Sequence, residues 1–233
     1  MNQFSFLPAV LAGASVALVA NALPASAVTF DFVRVPDFNN AINPASNFKV
    51  DVTEVGGKVQ FSFTNSGSAT ATIADIYFGK STTFSNYLDP NQSNIGITNS
   101  AGVDFEAGAN PTNPGGGITW NAAFGSDPQN SGYLKNGVDS NVGESVAFTF
   151  NYASGSNFNN VLSGLSSGNL TLALHGTSIG GSGGGSDWFS NNSKITTKDI
   201  PEPFTMLGTA GALGFGALFK RQQNKRSKAQ AKA

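Results

Sequence analysis

From Phe48 to Phe63 apolar and polar residues alternate with a period of two, interrupted once by a glycine pair. Phe48, Val50 and Val52 fall on one side of this segment, Lys49, Asp51 and Thr53 on the other. A helix would scatter the apolar residues around its circumference, whereas a strand gathers them on one buried face. Gly56-Gly57 accepts the positive φ of a tight turn, and Val59, Phe61 and Phe63 resume the alternation on the way back. The stretch predicts an antiparallel β-hairpin with one face in the core.

Other segments carry the same signature. Val28, Phe30 and Phe32 alternate with Thr29 and Asp31; Val146, Phe148, Phe150 and Tyr152 share one face over 144–152. Leu170, Leu172 and Leu174 alternate with Thr171, Ala173 and His175, while 71–78 is apolar on both faces and predicts a central strand. Shorter strands are expected at 96–98, 102–106 and 118–124, the last with Trp120 in the core, and an edge strand at 194–197. Phe158, Val161, Leu162 and Leu165 have helical spacing, with Ser156 or Asn157 as cap and Gly168 as stop. That helix is expected to cover one open end. Long polar loops separate these elements at 81–114 and 125–143. The pattern predicts a mainly β domain over 28–199, an antiparallel β-sandwich of jelly-roll or Ig-like type with one short helix. Fourteen of the 19 phenylalanines lie within it, mostly at core-facing positions.

The two extremities differ in character from this body. Residues 1–27 read as a secretory signal peptide: an apolar run over 10–22, then Ala25-Ser26-Ala27, the small-x-small pattern that precedes cleavage. Its first residues carry no Lys or Arg, so only the amino terminus is positive. Pro8 and Pro24 bracket the run and no basic stop follows, which argues against a first membrane helix. At the other end, Pro201-Glu202-Pro203 follows Ile200, and both prolines keep this motif extended. Residues 204–219 are uncharged, and as a helix they reach about 24 Å, a short span for a core of about 30 Å. Gly208, Ala212 and Gly216 form a small-residue stripe that lets another helix approach. Lys220, Arg221, Lys225 and Arg226 then begin a basic tail over 220–233, which the positive-inside rule leaves cytoplasmic with the body outside.

Taken together, Pro201, Glu202, Pro203, the glycine-rich apolar run and the Lys220-Arg221 cluster resemble the PEP-CTERM sorting domain. Such domains are recognised by exosortase-type membrane proteases of outer-membrane bacteria, cyanobacteria among them. The resemblance covers residues 200–233 alone and implies processing at the membrane near the motif; it says nothing of what the body does. The tail beyond Arg221 is longer than such a signal requires.

Charge and cysteine content narrow the remaining possibilities. Residues 28–199 hold seven Lys and Arg against thirteen Asp and Glu, a net of −6 hidden within the formal −1 of the whole chain. An acidic body is unsuited to a phosphate backbone, so nucleic acid is excluded as a partner. With no cysteine, the domain has neither disulfides nor thiolate chemistry, and burial must stabilise it. A single histidine, His175, excludes multi-histidine metal sites; no metal or cofactor is expected.

Residues with chemical potential are few. His175 lacks a neighbouring nucleophile elbow and reads as a structural or exposed histidine. The Gly180–Asp187 stretch misses the aspartate of a calcium-binding nonapeptide, and Ser186 stands where a dinucleotide loop needs its third glycine. As a loop beside Asp187-Trp188 it could frame a sugar, with Trp188 as platform and Asp187 as acceptor. Asp104, Glu106, Asp127, Asp139 and Asp187 include candidates for the carboxylate pair of glycoside hydrolysis. The expectation is a noncatalytic exported protein of the cell surface or extracellular matrix, with the membrane and an exosortase as partners. An exopolysaccharide-binding module is the alternative, and an exported hydrolase a third reading.

Overall fold

The computed structural model describes residues 27–35, 41–129, 136–140, 143–182 and 184–196. Ala25, the Pro201-Glu202-Pro203 motif, the 204–219 run and the basic tail with Lys220, Arg221, Lys225 and Arg226 lie outside these residues. No helix among the described residues is long and apolar enough to cross a membrane.

The domain is mainly β. Its strands are β1 (Val28–Arg34), β2 (Phe48–Val55), β3 (Lys58–Asn65), β4 (Thr72–Gly79), β5 (Gly96–Asn99), β6 (Phe105–Ala107), β7 (Ala122–Pro128), β8 (Val138–Asp139), β9 (Ser145–Phe150), β10 (Thr171–Ile179) and β11 (Gly185–Thr196). Hydrogen bonds join them in one antiparallel sheet of order β5-β9-β3-β2-β1-β11-β10-β4-β7-β6, with β8 pairing on β4. The sheet curls until its edges nearly meet. There Asn99 makes two side-chain bonds to the Phe105 backbone, donating to its oxygen and accepting from its nitrogen, each at 3.1 Å. A sandwich needs a break between two hydrogen-bonded sheets, and along this path there is none; the arrangement is a nearly closed barrel.

The predicted hairpin is β2–β3, paired from Phe48↔Asn65 to Val55↔Lys58. Gly56 and Gly57 both have positive φ, 58° and 73°, which side chains disfavour and a tight two-residue turn demands. All eight residues of β4 are buried, in keeping with a strand flanked by β10, β7 and β8. Twelve phenylalanines are buried, and Phe78 packs its ring against five of them: Phe61, Phe63, Phe124, Phe148 and Phe150.

Two segments depart from the sequence expectation. The strand expected at 118–124 is β7, beginning at Ala122 and running to Pro128. Its second half looks like loop because Ser126 and Pro128, not large apolar residues, fill the inward positions, the Ser126 hydroxyl being bonded to the Glu106 carbonyl. Trp120 consequently lies before the strand, half-buried over Gly79 on the outer face and not in the main core. The short edge strand expected at 194–197 is the end of β11, a twelve-residue strand between β1 and β10.

Helix α1 (Phe158–Ser167) has the predicted caps: Asn157 Oδ1 accepts from Asn160 N at 3.0 Å, and Gly168 is left-handed at φ 72°. Val161 and Leu165 enter the main core. The helix lies between the end of β9 and the start of β10, closing the end of the barrel at which Val28 enters and Thr196 leaves. Thr29 is the registered partner of Thr196, so both ends of the domain sit side by side there. The opposite, far end is formed by the end of β1, the start of β4 and the β10–β11 turn.

Candidate functional site

Two features of the outer face combine polar groups. The first is a row running across the strands. Glu106 on β6 faces Asp127 on β7, Asp75 on β4 faces His175 on β10, and His175 faces Trp188 on β11. Extending the β4–β7 register one step past Ile76↔Ser126 brings Asp75 opposite Asp127. Burial pushes the Asp127 carboxyl above the usual carboxylate range, and the nearby charges of Asp75 and Glu106 push the same way; the Asn110 N–H, 3.1 Å from Asp127 Oδ2, opposes them. Burial, followed by Asp75 and Asp127, likewise raises the Tyr77 phenol.

Asp75 is 3 % exposed, and its Oδ2 lies 2.6 Å from His175 Nδ1. The His175 ring stacks on Trp188, centroids 4.6 Å apart and planes 15° from parallel. Gly115 and Gly116 press against the indole so closely that a Cβ on Gly116 would fall 2.4 Å from Trp188 Cδ1. The Tyr77 hydroxyl donates to the Pro111 carbonyl at 2.8 Å, fastening the same loop. This row pins the 108–121 segment to the sheet and gives one oxygen of the buried Asp75 carboxylate a partner, while Oδ1 is buried without one.

The second feature is an open pocket of about 240 Å³ near the far end. Thr72, at the start of β4, lies between Asp139 of β8 and Thr177 of β10 in register. The Thr72 hydroxyl bonds the Asp139 carboxylate. Asp139 and Ser140, then Ser178, Gly181 and Ser182, and with Thr72 also Thr70 and Ala71, complete the lining. Ser178 has φ 52°, the one non-glycine residue with positive φ among the described residues. Its Oγ and Thr177 Oγ1 are buried without a hydrogen-bond partner.

The structure separates Asp187 from Trp188. Successive residues of a strand face opposite sides; Trp188 belongs to the outer cluster, while Asp187 points inward, fully buried, in an ion pair at 2.8 Å with Arg34 Nη2. With Trp188 8 % exposed and Asp187 fully buried, one sugar cannot touch both. The five candidate carboxylates scatter likewise: Glu106 and Asp127 meet, Asp139 lines the pocket, Asp187 is interior, and Asp104 precedes β6. Among the described residues no group of three potential metal ligands converges.

Sequence reasoning missed Asp75 and most of the pocket. A lone charge inside the apolar run 71–78 was the available clue to Asp75, since a buried carboxylate requires a partner. Of the pocket, the glycine loop and Asp139 are what the sequence singles out. Fold and site together define a nearly closed antiparallel β-barrel domain with a hydroxyl-lined depression on its far end. Compared with known protein families, curated proteins and solved structures, the chain has no significant match.

Proposed function

We propose that the chain is a noncatalytic exported protein of the cell surface or extracellular matrix, made as a membrane-bound precursor. In this reading residues 1–27 direct export and are removed after Ala27. The 204–219 run is the C-terminal membrane helix, and an exosortase-type protease recognises Pro201, Glu202 and Pro203.

The observation that supports this reading is the placement of the domain's ends. Strand β1 starts at Val28, directly after the Ala25-Ser26-Ala27 pattern, and β11 ends at Thr196, shortly before the proline motif. Thr29 pairs with Thr196, so segments attached at these two points begin side by side. A single bilayer can then hold both without distorting the barrel. A barrel stabilised by buried phenylalanine, with no cysteine, also folds alike in reducing and oxidising compartments.

The test is the intact mass of the mature protein from its native cell, combined with two tags. A tag after Lys232 should be lost on maturation, while one after Val28 persists. A cytosolic protein with both extremities intact would overturn the proposal, and retention of both tags in the envelope would replace processing with a permanent anchor.

A further inference from the structure

We infer that the far-end pocket binds a small, neutral, polyhydroxylated molecule of the size of one sugar ring. This goes beyond export and does not depend on it.

The lining decides the ligand's chemistry. Thr70, Thr72, Ser140 and Ser182 bring hydroxyl side chains to the lining, and Asp139 is its one ionisable group. Hydroxyls both donate and accept, and a carboxylate accepts, so a ligand offering many hydroxyls finds a partner for each. An anion would meet Asp139 without a cation to balance it. A bare divalent cation needs several carboxylate or carbonyl oxygens, and Asp139 is a single carboxylate already accepting from Thr72. An apolar ligand would strand the hydroxyls.

Size and backbone agree with this chemistry. A space of about 240 Å³ has the volume of about eight waters and lies below the range of drug-sized sites. It suits one ring and not a chain lying along the surface. Ser178 Oγ is buried, lacks a protein partner, and belongs to a residue held in a left-handed conformation that side chains disfavour. Such strain persists where the surrounding structure imposes it, and here it sets the pocket wall. The position is also the end of the barrel away from Val28 and Thr196, so attachments there leave it open.

The experiment is saturation-transfer NMR on the full chain in detergent with a panel of neutral hexoses and pentoses at millimolar concentration. Inorganic phosphate and calcium chloride are titrated in parallel and followed by protein chemical shifts. At least one sugar should show saturable transfer. Ser182→Trp, on the exposed loop, should fill the pocket and abolish the transfer; Asp139→Asn should weaken it about tenfold. The inference is overturned if no sugar of the panel binds, or if binding survives Ser182→Trp in a protein with wild-type circular dichroism. Saturable binding of phosphate or calcium in place of sugar would overturn it equally.

Discussion

Because the natural chain contains no cysteine, a single engineered pair reports on the adjacency of the domain's ends without background. Thr29→Cys with Thr196→Cys places the two thiols on registered partners of β1 and β11. Partners in an antiparallel pair lie about 4.5–5.5 Å apart at Cα, within the disulfide range of about 4.4–6.8 Å. The bond closes a loop of about 170 residues, for which the chain-entropy relation gives about 5 kcal/mol of stabilisation. Replacing Thr29 loses its hydroxyl's bond to Asp51, worth about 1 kcal/mol, so the net is about 4 kcal/mol. For a domain of this size that corresponds to about 8–16 °C in Tm. The assay is thermal and guanidinium unfolding of the oxidised and reduced double variant, with bond formation read from non-reducing gel mobility. Thiols that stay free under mild oxidation would refute the β1–β11 register. Were that register wrong, the argument that one bilayer can hold both extremities would fall with it.

Other perturbations test separate parts of the structure. Arg34→Ala leaves Asp187 buried without its counter-charge and should cost about 3–5 kcal/mol in equilibrium unfolding. Phe78→Ala removes the ring at the centre of five aromatic contacts and should cost about 3–5 kcal/mol, with Phe105→Ala, at the barrel edge with one such contact, costing less. Asp127 binds its proton more tightly in the folded state, so its contribution is fully present below the ordinary carboxylate range and is lost as pH rises through its raised pKa. Asp127→Asn should therefore be more stable than wild type at neutral pH, with the gain vanishing below about pH 4; a constant difference across pH would contradict the shift.

Legibility in the sequence followed the length scale of the cause. The β2–β3 hairpin and α1 are set by neighbours within about ten residues, through alternation, a glycine pair, Asn157 and Gly168, and both were readable. Strand β7 was displaced because tertiary packing admits Ser126 and Pro128 to inward positions that no hydrophobic pattern marks. The long β11 was seen as fragments because polar residues Ser190 to Lys194 interrupt its apolar signal, although paired strands flank it on both sides. Choosing between a barrel and a sandwich depends on contacts such as Asn99 with Phe105, where polar side-chain bonds span the edges and hydrophobicity is silent. The Asp187-Trp188 platform failed for a local reason: adjacency along a strand puts side chains on opposite faces.

The pocket was illegible for the opposite reason, since its lining comes from three segments, at 70–72, 139–140 and 178–182, that only sheet order brings together. Thr72 sits between Asp139 and Thr177 because β4 accepts β8 on one side and β10 on the other at the same level. The antiparallel order that unites them also fixes where they lie relative to the chain ends. Strand β10 leaves the terminal end and reaches the far end at Ile179, and the turn after it returns through β11 to Thr196. A chain held by segments attached at Val28 and Thr196 therefore carries its hydroxyl-lined surface outward, while α1 and the buried apolar side chains it covers lie toward the attachment. Reversing that arrangement would require a different strand order, so the orientation of the pocket and the adjacency of the ends stand or fall on the same β1–β11–β10 pairing.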